Sequence, residues 1–205
     1  IMPSLVGSEM CIRDSAKPCK RPNTMTTTIT ETPLPAHSQI AQRTAGADFA
    51  DCYTFADPQP ASSAMETYLA VMGRTPGWMD FLMSVRNQAV RLVGLKHLGR
   101  MQVKLLAEDS KPAASYALGD RAGIFSLCYL SAPEVILCDD DKHLRVEVSV
   151  CKHRQGGQPV VSVSTVVHNH NALGRAYMAI VGPVHRLIVP HMLRQSLHAA
   201  RTAHQ

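Results

Sequence analysis

The chain is poor in aromatic residues, with one tryptophan, four phenylalanines and five tyrosines. It therefore lacks the row of stacking rings that single-stranded nucleic acid would require. Cationic clusters are missing too. Of the net charge of +5, two units belong to the first 24 residues, where Arg13, Lys17, Lys20 and Arg21 stand against Glu9 and Asp14. The rest is only mildly basic, so no nucleic-acid partner is expected. No segment approaches the roughly eighteen uncharged apolar residues of a membrane span. The best stretch, Tyr177 to Leu193, is interrupted by His185, Arg186 and His191. The six cysteines, Cys11, Cys19, Cys52, Cys128, Cys138 and Cys151, form no CxxC, and no basic start followed by an apolar run marks a secretory signal. These absences predict a soluble, cytoplasmic protein with reduced thiols, in which Cys128, Cys138 and Cys151 pack as small hydrophobes. Without a nucleophile elbow, carboxylate dyad, metal triad or GxGxxG, no metal or cofactor is expected and no residue is assigned a catalytic role.

What is present suffices for one core, since 45% of the 205 residues are hydrophobic. The opening IMPSLVGSEMCIRDS resembles translated sequencing-adapter read-through, so residues 1–24 are expected to be a non-native extension. Residues 25–47, rich in Thr and Pro and without periodicity, read as a disordered lead-in, and 48–202 as a single domain. Ala50 to Phe55 alternates as a strand closed by Asp57-Pro58. Ser63 and Glu66 form a capping box for a helix stopped by Gly73. Thr75-Pro76 opens a second, striped by Trp78, Phe81, Leu82, Val85, Ala89, Leu92 and Val93. Residues 96–119 are weakly patterned, and β signals return at 124–130 and 134–138. In the next strand Leu144, Val146, Val148 and Val150 share one face, with His143, Arg145, Glu147 and Ser149 on the other. After the Gln155–Pro159 turn, Val161, Val163, Thr165 and Val167 point inward against Ser162, Ser164 and Val166. From Leu173 the apolar period becomes helical, with Gly182-Pro183 and Pro190 expected to bend the helix. The sum is an α+β fold: an antiparallel curved sheet of about five or six strands wrapped around a long C-terminal helix, with two helices after the first strand.

That order of elements is similar to the helix-grip fold of START-like, Bet v 1-like (polyketide cyclase-like) proteins. GDRAGIF (119–125), DDDKHLRVEVSV (139–150) and VVHNHNALGRAYMAIVGPVHRLIVPHML (166–193) resemble the bacterial domain-of-unknown-function family 2867, over roughly 48–197. The first resemblance implies an apolar cavity between sheet and helix. The second implies a domain that occurs alone or behind dehydrogenase-like nucleotide-binding domains. Because this chain has no GxGxxG, a dehydrogenase-like partner would be a separate protein.

Four features are candidates for function. His168-Asn169-His170-Asn171 falls where the strand ends and the helix starts: an asparagine there caps the helix, and the histidines two apart could ligate a metal only with a third ligand. Asp139-Asp140-Asp141 lacks calcium-loop spacing and reads as a solvated turn. No Asp or Glu follows Glu147, so Arg175 and Arg186, eleven apart on one helix face, either pair with acids such as Glu147 or Asp140 or meet an anionic group. Finally, Val146, Val148, Val161 and Val163 would line the cavity, with Trp78, Arg145, Thr165, Tyr177 and His185 as its orienting groups. The leading expectation is binding of a small hydrophobic or amphipathic molecule. An accessory enzyme domain, cyclase-like or a dehydrogenase partner, would use Tyr177, His185 or Arg175 as proton donor or charge stabiliser. A protein-interaction domain would instead have a filled core.

Overall fold

The computed structural model describes residues 28–72 and 111–202. Alternating side chains make the central strands. β2 (Phe49–Ala56), β6 (Leu144–Gln155) and β7 (Gln158–Asn169) form the middle, extended by β5 (Glu134–Asp140) and β4 (Phe125–Leu130). Two-residue strands close the edges, β1 (Thr30–Glu31) and β3 (Arg121–Ala122). The resulting curved sheet has seven strands in the order β1-β2-β7-β6-β5-β4-β3, all pairs antiparallel. The count exceeds the expected five or six because two residues are too few to display a period of two. Gly156 and Gly157 join β6 to β7 at φ of 57° and 80°, the left-handed pair that a tight hairpin turn of matching twist demands.

One face of the sheet is apolar as the alternation requires. Asp51, Tyr53 and Phe55 of β2 stand opposite Thr165, Val163 and Val161 of β7, and Thr165 and Val163 stand opposite Val148 and Val150 of β6. Among the described residues two helices cover this face. In α1 (Ala64–Met72) the capping box forms as its sequence requires: Ser63 Oγ accepts from the Glu66 amide at 3.2 Å and Glu66 Oε2 accepts from the Ser63 amide at 2.6 Å. The long helix α2 (Ala172–Thr202) continues through Pro183 and Pro190. Val189, Met192, Leu193 and Leu197 of its second half join Met65, Tyr68 and Val71 of α1 on the sheet, forming the main core. Ser196 Oγ donates to the Val71 carbonyl at 2.9 Å, satisfying an acceptor at the end of α1. The second expected helix, with Trp78, lies outside the described residues.

The opposite face departs from expectation. Residues 28–47, within the segment read as a disordered lead-in, are ordered: Thr30–Glu31 pair with β2 at the sheet edge, and the chain from Leu34 to Ala47 lies across the back of the sheet. A 3₁₀ turn at Ile40–Arg43 places Ile40, 0% exposed, in a second small core with Ile136 and Val166, flanked by Leu34 and Tyr129. Glu134, itself buried, accepts from the amides of Gln39 (2.6 Å) and Ile40 (3.1 Å) and from Ser149 Oγ (2.8 Å). Ser162 and Ser164 are thereby completely buried. Thr32, Thr54, Ser162 and His153 satisfy one another in a chain of contacts of 2.8, 2.7 and 2.8 Å. A row of small hydroxyls makes a flat, partly polar surface on which a non-periodic segment can lie while keeping its own polar groups bonded. Over residues 28–47 low periodicity thus marked irregular structure.

Cysteine usage also needs correcting. Cys128 and Cys138 are joined as a disulfide between β4 and β5, with Cα atoms 6.1 Å apart, while Cys52 and Cys151 are free and buried. Neighbouring antiparallel strands, with a register shift between Leu127 and Tyr129, bring the pair together. A spacing of ten residues gives no sign of such pairing, and cysteine count no longer argues for a reducing compartment.

Candidate functional site

The first half of α2 does not close on the sheet. Between them lies a cavity of about 170 Å³. Its sheet wall is Val146 and Val148 from β6 with Val163, Thr165 and Val167 from β7; its helix wall is Tyr177, Met178, Val181, His185, Ile188, Val189 and Met192. Phe49 of β2 and Phe125 of β4 stand at its two sides, and Asp139, Asp141 and Leu144 border it from the β5–β6 hairpin. Apolar side chains dominate, and no Lys or Arg lies on the wall among the described residues.

The helix start fixes the position of this wall. Asn171 Oδ1 accepts from the amides of Leu173 and Gly174, both at 3.1 Å, and Asn171 Nδ2 donates to the Lys142 carbonyl at 2.8 Å. One asparagine therefore caps α2 and ties it to the β5–β6 turn. The His170 amide donates to the His143 carbonyl at 2.8 Å, and a Cβ on Gly174 would overlap that same carbonyl oxygen. The HNHN stretch is a corner. His168 Nε2 contacts the Arg43 carbonyl at 3.0 Å and His170 Nε2 contacts Asp140 Oδ1 at 2.9 Å. Among the described residues no three His, Cys, Asp or Glu converge as metal ligands.

At the β2 side of the cavity, Asp51 projects from the sheet toward α2. It is 4% exposed, and both carboxylate oxygens lack hydrogen bonds among the described residues. His185 Nε2 approaches one of them at 3.4 Å, an ion-pair contact whose alignment falls short of a hydrogen bond, and lies 3.2 Å from Thr165 Oγ1. The His185 ring meets Phe49 edge-on at 5.6 Å. Behind the pair, burial first and then the Asp51 charge push the Tyr53 phenol up to about 12, so its hydroxyl keeps its proton and faces the Arg186 carbonyl at 3.4 Å. A buried carboxylate without aligned donors is costly. His185 is the polar side chain that faces it.

Of the side chains expected at the cavity, Val146, Val148, Val163, Thr165, Tyr177 and His185 are on its wall, whereas Val161 is buried in the main core beside Phe55. Arg145 is not. One residue from Val146, it points to the other face, where its Nη2 lies 2.7 Å from Glu147 Oε1 and Arg43 Nη1 lies 2.8 Å from the same oxygen. These two arginines, Glu147, His168 and His170 outline a separate open hollow on the back of the sheet. Glu147 thus pairs with Arg43 and Arg145 rather than with Arg175 or Arg186, and Asp140 with Arg145 and His170. Arg175 and Arg186 are both exposed, Arg186 lying over the Phe49 ring at 5.4 Å. Sequence reasoning missed Asp51, although its parity with Tyr53 and Phe55 placed a charge on the inward face. It also set aside Asp139, whose parity with Leu137 carries it to the cavity. Asp141 does form a turn, its Oδ1 accepting from the His143 and Leu144 amides at 2.6 and 2.9 Å.

These features define an α+β domain whose long C-terminal helix crosses an antiparallel sheet above an internal cavity. The chain belongs to the family described as protein of unknown function (DUF2867), whose model matches residues 43–192. No curated protein and no solved structure matches it. No helix among the described residues is long and apolar enough to cross a membrane.

Proposed function

We propose that the domain binds a small hydrophobic or amphipathic molecule between the sheet and α2, in a helix-grip-like arrangement. The observation that carries this reading is the cavity of about 170 Å³ with apolar walls and a few polar groups at its edges, the usual construction of a small-molecule site. An apolar cavity on the order of 150 Å³ accepts benzene, so a ligand with one ring, or a short branched chain, fits. Titration of the full-length protein with toluene, followed through the methyl NMR signals of Val146, Val148 and Val163, tests it. Saturable shifts that vanish in Val163→Phe support binding. Unshifted methyls would identify a filled core and favour an interaction domain.

A second reading, proton-transfer chemistry on the bound molecule, is favoured by the Asp51–His185 pair beside Thr165, with Tyr177 on the same cavity wall. A carboxylate behind an imidazole orients it and stabilises its protonated form. Under this reading Asp51→Asn abolishes turnover of a substrate found by extraction and leaves its binding intact. Turnover unchanged in Asp51→Asn would eliminate it.

A further inference from the structure

The charges at the cavity are unevenly matched. Asp51 has His185 beside it at 3.4 Å. Asp141 receives two backbone amides. The carboxylate of Asp139, half-buried on the cavity wall, makes no ion pair or hydrogen bond among the described residues. Lys142, in the same turn, is exposed and pairs with neither; Arg145 is engaged by Glu147 on the back of the sheet, and Arg186 lies over the Phe49 ring at the β2 side of the cavity, away from the β5 side that carries Asp139. A ligand that fills the cavity displaces water from Asp139, and an apolar or anionic group there would leave a carboxylate stripped of solvent and unpaired.

Resting on the reading that the cavity binds a small molecule, we propose that its ligand is an amphipathic amine, whose apolar body lies on the valine wall and whose ammonium group is held by Asp139. Asp139 is on β5 and Asp51 on β2, three strand spacings away in the sheet order, which is roughly 14 Å. The Asp51–His185 pair, with Thr165 Oγ1 beside it, is therefore a separate polar end, too far away to share the ammonium group held by Asp139. An opposite charge in a site partly shielded from water acts in a lower effective dielectric than a surface pair, which is what makes the choice of head group selective.

The test uses the full-length protein and three probes that differ only in head group: cyclohexylmethylamine, cyclohexylmethanol and cyclohexanecarboxylate, measured by calorimetry at neutral pH and low salt. The expected result is that the amine binds about tenfold or more tightly than the other two. Asp139→Asn should remove that preference without changing affinity for the alcohol, with a melting curve showing that the variant folds. If the alcohol or carboxylate binds as tightly as the amine, the amine assignment falls and the cavity reading stands. A preference that survives Asp139→Asn and disappears in Asp141→Asn overturns Asp139 as the counter-ion. If none of the three binds, the proposed ligand-binding function and the amine assignment fall together.

Discussion

Replacing Glu134 with alanine tests whether the segment on the back of the sheet is part of the folded unit. The carboxylate accepts three hydrogen bonds, from the Gln39 and Ile40 amides and from Ser149 Oγ. Two responses compete in Glu134→Ala. If the segment stays in place, three donors lose their acceptor, and a buried unsatisfied group costs about 1 kcal/mol at the low end, giving about 3 kcal/mol in all. If the 3₁₀ turn instead lifts away, the amides reach water, but Ile40 leaves its buried position against Ile136 and Val166. Burying an isoleucine side chain is worth about 1.5–3 kcal/mol, and the uncovered partners add to the loss. Both routes therefore cost about 3 kcal/mol. At about 2–4 °C per kcal/mol for a chain of this size, Tm should fall by about 9 °C in circular dichroism melts. Tryptic cleavage after Arg43 separates the routes, since only the second exposes that bond. Glu134→Gln retains an acceptor oxygen and should lose less than half as much. A Tm drop under about 2 °C with unchanged cleavage after Arg43 would refute the account of this clamp.

Gly174→Ala sets helix propensity against packing: alanine favours a helix by up to about 1 kcal/mol, but the new Cβ overlaps the His143 backbone carbonyl, which only a backbone shift can relieve. A net destabilisation of about 1–3 kcal/mol is expected in urea titrations; a stabilised variant would show that this corner is loose. His153 is held below the ordinary histidine range, first by burial and then by the neighbouring His37, whose ring centroid is 5.0 Å away. Its folded pKa is the lower one, so the unfolded chain binds the proton more readily, and this contribution to stability is lost as pH falls below about 6.5. His153→Gln should flatten the fall in stability between about pH 7 and 5, and an unchanged slope would contradict that coupling. Burial, followed by the charge of Glu134, pushes the Cys151 thiol up to about 12. Iodoacetamide at pH 8 should leave Cys151 unmodified in the native protein and alkylate it in denaturant, as read by peptide mass mapping; rapid native labelling would show that β6 opens readily.

Much of the architecture was legible because long strands and helices repeat a local pattern. Val146 and Val148 are on the cavity wall because residues two apart share a face, and the Ser63–Glu66 box starts α1 because its hydrogen bonds are local. Arg145 shows the same rule applied inconsistently, since its parity with Glu147 already placed it on the back of the sheet. Asp51 was legible by parity as well, but a carboxylate on an inward face acquires meaning only when His185, 134 positions later in the chain, arrives beside it.

The sequence by itself determined which residues alternate, where helices begin, and the order of sheet and helix, because backbone sterics and capping act over a few residues. Tertiary structure alone decided the rest. It laid residues 34–47 across the back of the sheet, joined Cys128 to Cys138, gave Glu147 two arginines as partners and kept the first half of α2 off the sheet. Each of these outcomes depends on side chains that meet only after long loops close, and the volume left between a sheet and a helix is a property of how their surfaces fit.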